Sequence, residues 1–560
     1  MRYFKEIFRK NRAWIVLFIA LGLCTAFLES FRADQYQRVL DGLLAGPEVL
    51  AALAVYGGVY VLLVLLNYLM NLPEQRLEHG VYLDFKQMAL RKLKTVDFRT
   101  YRAFGTGKMT QRIESGSMAG KSVLLDFWLR LFSELVPAVA FSVAFIARIS
   151  LPVTLALLAG YVFVFLVTNL LLRRLYDVKE RILTNEESLN HVFVRGFLEL
   201  ITFRIERRFS AELKKAEEAA REIVGSKTKM RLIHEAFFTV FALLVAALDI
   251  GILLYAHFTR ALTVGEVVAL IALADRAYQP IAIFNVLFVQ YKLEKASFKR
   301  LTDFLDAPED PRLTCGEPLQ DPGDIEVQGV SYGYGARRVL DNISLRIRRG
   351  EHVAFVGESG SGKTTLLHLL AGLLKYEEGA VKLGGQPLRD IALESLYART
   401  RYLPQEAPVF DGTLRENLAF DAPIPDSELI AALENARLGA LFRSLPDGLE
   451  TALGEHGAQL SGGERQRAAL ARVWLEKRPL VFLDEATSAV DNLTEEALLA
   501  GLLRETADCT VISVMHRLNC VRLFDRIVVF REGKIAADGS YGDLMRDCPY
   551  FRELVEEQTV

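Results

Sequence analysis

One glycine-rich segment has the residue types and spacing needed to bind phosphate. Residues 357–364 read Gly-Glu-Ser-Gly-Ser-Gly-Lys-Thr and lie between a β-like run, 352–356, and a helical segment, 364–374. Glycines let backbone N–H groups converge on phosphate oxygens, and the N-terminus of the following helix adds partial positive charge. Lys363 is placed to reach the β- and γ-phosphates, and the Thr364 hydroxyl to bind Mg²⁺. The residues expected to contact the nucleotide here are Gly357, Glu358, Ser359, Gly360, Ser361, Gly362, Lys363, Thr364 and Thr365.

A second segment ends in two adjacent carboxylates. The apolar run 480–483 is typical of a buried strand, and Asp484 and Glu485 follow it directly. Alone, such a run is also typical of any core strand with a polar end. Beside a phosphate-binding loop it predicts more: Asp484 holds Mg²⁺, directly or through water, and Glu485 polarises the water that attacks the γ-phosphate.

A third segment, 460–466, reads Leu-Ser-Gly-Gly-Glu-Arg-Gln and precedes a helix. The spacing of Ser461 and Glu464 is that of a capping box, which explains these two residues by local structure alone. It does not explain Gly462 and Gly463, which expose backbone amides at a helix N-terminus and so form a second anion site. One nucleotide cannot obviously use both anion sites within one domain.

Together these segments resemble an ABC transporter half of the exporter type, and the resemblance covers essentially the whole chain. It implies that Ser461, Gly462 and Gly463 of one copy close over the ATP held by the phosphate loop of a second copy. Glu464 stands where glutamine is more usual in the family. We therefore expect it to bring negative charge toward the nucleotide and to slow closure.

The resemblance assigns further roles one residue at a time. Tyr334 corresponds to the aromatic residue that stacks on adenine, and Gln405 to the glutamine that joins Mg²⁺ to the membrane domain. Asp491 corresponds to the acid that communicates between the two sites, and residues 454–457 to a loop that touches the membrane domain. His516 corresponds to the histidine that contacts the γ-phosphate, although a single histidine is more often structural. Glu485, His516 and Gln405 are thus the expected catalytic set, with Thr364, Gln405 and Asp484 at the metal.

The first half of the chain has the long apolar stretches that are typical of a membrane domain. The chain has 560 residues, of which 51% are apolar. Stretches such as 51–66 and 155–172 are apolar on every face, unlike the amphipathic helices of a soluble core. At 1.5 Å per residue, each of six stretches can cross about 30 Å of hydrocarbon. These stretches are 13–33, 49–70, 131–149, 153–172, 237–258 and 264–291.

Basic residues predict the orientation. They precede the first span and are dense in the long connections 71–130 and 173–236, so both termini and both connections are expected in the cytoplasm of a bacterial inner or plasma membrane. The first span is retained in this interpretation and is not a cleaved signal peptide. Helical periodicity continues into the connections, which indicates helical stalks. The stalks are expected to turn near 101–113 and 196–209, which resemble the coupling helices of the family.

The expected fold is an α-helical membrane domain of six spans with long cytoplasmic extensions, followed by an α/β ABC ATPase domain with a P-loop. The membrane domain is assigned to residues 1–306, a Pro-rich and acidic linker to 307–323, and the ATPase domain to 324–560. Beyond the linker, short β-like runs alternate with helical segments.

The partners follow from the same residues. A net charge of −2 gives no reason to expect nucleic-acid binding, and five scattered cysteines form no zinc motif. Family heterodimers often lose site residues in one chain, whereas this chain keeps them all, so a homodimer with two ATP and Mg²⁺ sites, surrounded by membrane lipid, is expected. The competent half of a heterodimer remains the alternative.

The substrate is not determined by these motifs. Export of a hydrophobic or amphipathic small molecule, lipid or peptide is expected, with import of a metal chelate and an ATP-gated channel as alternatives; the six spans disfavour a soluble remodelling ATPase. Charged residues at membrane depth usually face a cavity or each other. Asp249 and Asp275 therefore either line the substrate path or pair with Arg276 or Arg32 across helices.

Overall fold

The computed structural model describes residues 2–43, 49–104, 106–335, 337–420, 422–454 and 457–558. The chain forms two compact units. One consists of Met1–Leu93 and Phe104–Ala307, and the other of Lys94–Ala103 and Pro308–Val560.

The first unit is built from long apolar helices. Within the described ranges, five helices are long and apolar enough to cross a membrane, and a shorter apolar stretch, Leu151–Val164, begins a sixth long helix. All six apolar stretches of the sequence fall inside these helices, which extend well beyond them, as expected for stalks. The helices up to residue 305 are α1 (Arg2–Gly42), α2 (Val49–Thr95), α3 (Phe98–Phe104), α4 (Thr106–Ser122), two π-helical segments (Val123–Leu129 and Leu131–Leu135), α5 (Val136–Ile149), α6 (Leu151–Leu198), α7 (Leu200–Ile205), α8 (Phe209–Thr259) and α9 (Val264–Leu305). Of these, the last two residues of α2 and all of α3 except Phe104 belong to the second unit.

The core of this unit includes a tyrosine pair between α6 and α9. The buried Tyr278 hydroxyl donates to the carbonyl of Leu157 at 3.1 Å, and Tyr161 donates to the carbonyl of Ala277 at 3.0 Å. Gly160 lies against Tyr278, because any Cβ at this position would overlap the tyrosine hydroxyl. Both hydroxyls thus have partners in an apolar region, where an unpaired polar group is costly.

The first turn between long helices begins before the predicted interval 101–113. Helix α2 ends at Thr95, and Val96 pairs with Glu309 in a short antiparallel bridge. The Asp97 carboxylate then accepts from the N–H of Thr100 at 3.4 Å, which caps α3. Asp97 was the helix-start signal that the prediction did not use. The second turn, between α6 and α8, falls within the predicted interval 196–209.

The second unit contains two sheets in the described residues. The four-stranded sheet is antiparallel, in the order β2-β1-β4-β5, and the six-stranded sheet has the order β10-β9-β3-β8-β7-β6. In the larger sheet β6, β7, β8, β3 and β9 run parallel, around a core that includes Phe355, Phe482 and Phe530. The larger sheet is mainly parallel, and helices alternate with its strands along the chain. This arrangement confirms the predicted α/β class of the second unit. The strands are β1 (Ile325–Tyr334), β2 (Arg337–Ile347), β3 (His352–Gly357), β4 (Glu378–Leu383), β5 (Gln386–Pro387), β6 (Thr400–Leu403), β7 (Leu480–Asp484), β8 (Thr510–Val514), β9 (Arg526–Arg531) and β10 (Lys534–Gly539).

The helices of this unit after residue 308 are α10 (Lys363–Leu370), α11 (Leu393–Ala398), α12 (Leu414–Ala419), α13 (Asp426–Asn435), α14 (Gly439–Ser444), α15 (Gly462–Leu475), α16 (Asn492–Glu505), α17 (Tyr541–Asp547) and α18 (Pro549–Glu557), with 3₁₀ turns at Pro311–Leu313, Gly448–Glu450 and Leu518–Leu523. Several of these helices, including α10, α11, α15 and α17, contact the larger sheet, whereas α12 and α13 pack against α15.

Most of the segment assigned to a linker, from Pro308 onward, is an ordered part of the second unit. Buried Asp310 pairs with Arg312 at 2.7 Å, and the Arg312 guanidinium also donates to the carbonyl of Gly372 at 2.9 Å. Glu317 bridges to Ile391 in parallel. The Pro-rich segment therefore lies near the change from one unit to the other, but it is not an unstructured linker.

Candidate nucleotide site

The parallel strands bring the predicted site residues to one edge of the larger sheet. The glycine-rich loop follows β3, and Asp484 ends β7 with Glu485 directly after it. His516 lies two residues after β8, and Gln405 two residues after β6. Because the carboxyl ends of parallel strands share an edge, four segments that are distant in sequence meet there.

The glycine-rich loop contains positive φ angles, which glycine adopts more readily than other residues. Gly357, Gly360 and Gly362 have φ angles of +140°, +80° and +106°. The buried Lys363 ammonium donates to the carbonyls of Gly357 at 2.7 Å and Glu358 at 2.8 Å, so it lies curled over the loop. Burial lowers the Lys363 pKa, while the carboxylates of Glu485, Asp484 and Glu358 act in the opposite direction. An incoming phosphate would add further negative charge beside the ammonium.

The residues assigned to Mg²⁺ fit such an ion. The Thr364 hydroxyl donates to the Asp484 carboxylate at 2.8 Å, so a hydroxyl and a carboxylate oxygen already meet. The Ser361 hydroxyl in the same loop is buried without a hydrogen-bond partner among the described residues. Mg²⁺ prefers oxygen ligands and takes the rest of its shell from phosphates and water. Thr364 and Asp484 are therefore suitable protein ligands.

Glu485 lies between the two other predicted catalytic side chains. One carboxylate oxygen is 2.7 Å from His516 Nε2, and the other accepts from Gln405 Nε2 at 2.8 Å. The Glu485 backbone has a φ of +49°, a left-handed conformation that residues other than glycine rarely adopt. Its carboxylate is thus held from both sides directly after the end of β7.

The residues 461–464 form the capping box that the sequence indicated. The Ser461 hydroxyl accepts from the N–H of Glu464 at 3.3 Å, and the Glu464 carboxylate accepts from the N–H of Ser461 at 2.7 Å. These bonds lower the Glu464 pKa, and the carboxylate charge lies at the N-terminus of its own helix, α15. A Cβ on Gly463 would lie 2.9 Å from the carbonyl oxygen of Ala489, so only glycine fits without a shift.

Gln466 connects three segments of the site. Its amide nitrogen donates to the carbonyl of Gln405 at 3.3 Å and to the Ser488 hydroxyl at 3.0 Å, while its oxygen accepts from the N–H of Ala489 at 2.7 Å. Sequence analysis assigned Gln466 no role beyond its place in the segment 460–466. Asp491 also has a local function, because its carboxylate accepts from the N–H of Thr494 at 3.0 Å and caps α16.

Tyr334 is exposed enough to offer a ring to a base. Its side chain is 40% exposed, and it meets Tyr332 edge to face with ring centroids 5.1 Å apart. Two residues of the predicted loop 454–457, Glu455 and His456, lie outside the described residues.

The sequence did not reveal that α18 supports the site. Tyr550 donates to the Glu358 carboxylate at 3.0 Å, and buried Phe551 anchors the helix. Gln558 donates to the carbonyl of His516 at 2.6 Å and accepts from the N–H of Leu518 at 2.9 Å. The helix thus holds the phosphate loop at one end and the His516 loop at the other. No local motif indicates contacts between residues so distant in sequence.

We expect Gln558→Ala to lower kcat for ATP hydrolysis about fivefold, because two hydrogen bonds that fix the backbone around His516 are lost. ATP binding should remain unchanged, since both hydrogen bonds of the Gln558 side chain among the described residues are with the backbone of His516 and Leu518. Steady-state kinetics of the full chain measure both. Glu557→Ala on the preceding exposed residue is the control, and equal kcat values for the two variants would contradict the assignment.

Comparison with known proteins finds similarity to ABC transporters. Residues 340–488 match the family model described as ABC transporter. The chain is 33% identical over 297 residues to an ATP-dependent lipid A-core flippase of Francisella tularensis, covering 53% of this chain and 49% of that protein. It is 37% identical over 302 residues to the mycobactin import ATP-binding/permease protein IrtB of Mycolicibacterium thermoresistibile, covering 53% and 52%. The chain therefore spans about half the length of the curated relatives it matches.

One solved structure matches the full length. A bacterial Atm1-family ABC exporter with ATP bound superimposes with a TM-score of 0.83 at 24% identity, covering 99% of both chains. At this identity the likeness concerns the fold. Residues 340–488 thus match the ABC transporter family model, and the chain as a whole has the fold of the Atm1-family exporter structure, with a long-helix unit followed by an α/β unit.

Proposed function

We propose that this chain hydrolyses ATP to move a substrate across a membrane, and that two identical copies form the working transporter. The observation that carries this proposal is the convergence of Lys363, the Thr364–Asp484 pair and the Glu485 carboxylate at one sheet edge. That site belongs to a chain whose other unit contains helices long enough to span a bilayer. The ATPase domain and both termini are placed in the cytoplasm of a bacterial inner or plasma membrane.

The side chains divide the work of hydrolysis. The loop amides and Lys363 bind the β- and γ-phosphates, and Glu485 orients the attacking water and receives its proton. His516 and Gln405 keep the Glu485 carboxylate at its position, and His516 meets the γ-phosphate. Thr364 and Asp484, with Gln405, would hold Mg²⁺, which when bound would supply positive charge beside the phosphates.

The second anion site explains why two copies are required. Ser461, Gly462 and Gly463 of one copy close over the nucleotide bound by the other, and hydrolysis lets the copies separate. Alternating closure and separation moves the helical units between inward-open and outward-open states. Because Glu485, His516 and Gly463 are all present in this chain, a homodimer has two competent sites.

The charged residues at membrane depth indicate where substrate contacts lie. Among the described residues, the ion pair of Arg276 on α9 is with Glu29 on α1. One carboxylate oxygen of Asp249 is buried without a hydrogen-bond partner among the described residues. We place Asp249 and Asp275 on the path of a substrate that carries a basic group on an apolar or amphipathic body.

We expect Asp275→Asn to slow transport of cationic substrates several-fold while leaving ATP hydrolysis without substrate unchanged, because the substitution removes only charge. Uptake of labelled cationic and neutral amphiphiles into inside-out vesicles measures this difference. Unchanged selectivity and rate would remove Asp275 from the substrate path.

Purified protein in lipid tests the function as a whole. ATP hydrolysis is measured while peptides, lipids, amphipathic drugs and metal chelates are added one class at a time, and the class that alters the rate identifies the substrate. Hydrolysis by the chain alone supports the homodimer, whereas activity only after a second protein is supplied contradicts it. Because one relative is named an import protein, transport is followed in vesicles of both orientations to establish direction.

A further inference from the structure

A hydrogen-bonded chain leads from α10 to Asp484. Buried His368 lies on α10, and its Nε2 is 2.9 Å from the hydroxyl of Tyr402 on β6. The same hydroxyl donates to Asp484 Oδ2 at 3.3 Å. Since Thr364 donates to Asp484 Oδ1 at 2.8 Å, both oxygens of this carboxylate are held by neutral donors.

The direction of the hydrogen bonds follows from counting protons. A tyrosine hydroxyl has one proton, and here it is given to the Asp484 carboxylate. His368 Nε2 must then carry the hydrogen and donate to the Tyr402 oxygen. His368 Nδ1 is buried without a partner among the described residues, and a proton there would be an unsatisfied buried donor. The neutral tautomer with hydrogen on Nε2 is therefore the one that fits.

The outer end of the chain is an aromatic contact. The Phe98 ring meets the His368 ring at 67°, with centroids 5.9 Å apart. Phe98 begins α3, and its segment, Lys94–Ala103, belongs to the ATPase unit. Asp97 beside it forms an ion pair with Lys375 at 3.4 Å. The position of His368 is thus set by packing on one side and by a hydrogen bond on the other.

We propose that Tyr402 and His368 are positioning residues for Asp484, which hold its carboxylate in the orientation that receives Mg²⁺ together with ATP, and that Phe98 keeps His368 in place. The inference rests on the proposed ATP-hydrolysing function. It gives α3 a direct mechanical connection to the metal ligand, separate from the loop of Gln405. A displacement of α3 would therefore shift His368 and Tyr402 and change the orientation of the Asp484 carboxylate.

Metal binding tests the inference without relying on turnover. Full-length protein carrying Glu485→Gln is loaded with ATP, and bound Mn²⁺ is titrated by electron paramagnetic resonance, while affinity for a fluorescent ATP analogue is measured in EDTA. Adding Tyr402→Phe, which keeps the ring and removes the donor, should weaken Mn²⁺ binding about tenfold and leave the EDTA affinity unchanged.

Further variants separate positioning from general damage. His368→Leu should weaken Mn²⁺ binding about threefold, because Tyr402 keeps its proton but loses its fixed orientation, and His368→Gln, which still donates, should restore it. Combined with Tyr402→Phe, His368→Leu should cause no further loss. Tyr397→Phe removes a hydroxyl elsewhere in the same unit and is the matched control.

Two failures have different meanings. Equal Mn²⁺ affinity in Tyr402→Phe and Tyr397→Phe would overturn the inference and leave the proposed function intact. A parent protein that binds no nucleotide would overturn the proposed function, and the inference with it.

Discussion

Replacing Glu485 with glutamine is expected to reduce kcat for ATP hydrolysis by about 10²- to 10⁴-fold, the range that a general base contributes. The carboxylate lies between His516 and Gln405, so a neutral amide of the same shape keeps the site assembled but cannot accept a proton. ATP affinity should be retained, because the phosphate loop is untouched. Hydrolysis and nucleotide binding by the purified full chain in lipid measure the two effects separately.

The matched control is Glu505→Gln, an exposed glutamate on α16 that pairs with Lys477 at 3.3 Å. We expect wild-type hydrolysis from this variant. Activity of Glu485→Gln within a few-fold of the control would contradict the assigned base. Accumulation of ATP-bound dimers in Glu485→Gln alone would add support, since closure occurs and hydrolysis does not.

Lys363→Ala and Gly463→Val should each abolish hydrolysis as homodimers, with losses of about 10²-fold or more. Lys363→Ala removes the cation of the phosphate loop. Gly463→Val places a side chain where a Cβ alone would come within 2.9 Å of the Ala489 carbonyl oxygen. When the two variant chains are expressed together, hydrolysis should return.

The rescue follows from the way two copies share their sites. A mixed dimer has one site with both defects and one site with an intact phosphate loop from one chain and an intact glycine pair from the other. Differently tagged chains purified in tandem give that dimer alone. Hydrolysis no higher than in either parent would contradict the shared-site arrangement, while a chain that purifies as an active monomer would contradict dimerisation itself.

The fold was predictable because its signals are local. Apolar stretches of membrane length and a strand–loop–helix motif lie within short windows, and both fall in the expected elements. The start of the first turn was placed too late because the capping role of Asp97 becomes visible only when α2 is seen to end at Thr95. Proline and acid content likewise indicated a change of unit at the linker but not the buried Asp310–Arg312 pair.

Sequence analysis nominated residues of the candidate site, but it did not predict the hydrogen bonds that join them. The glycine spacing, the carboxylate pair and the resemblance nominated residues such as Lys363, Asp484 and Glu485, and the structure brings these together. Contacts made by α18 and by Gln466 depend on tertiary packing across long sequence separations, for which a single sequence carries no periodic signal. The Arg276–Glu29 pair is of the same kind, since several pairings of the membrane charges were equally compatible with composition.

The support that α18 gives to both loops has a consequence for the order of synthesis. The phosphate loop leaves the ribosome roughly 200 residues before Gln558, which at ordinary elongation rates is about 10 to 40 s earlier. During that interval the nascent domain has its phosphate loop but lacks the helix that fixes the His516 backbone. If the chain hydrolyses ATP as proposed, its full hydrolytic rate is expected only after Gln558 has been synthesised and has bound the His516 backbone.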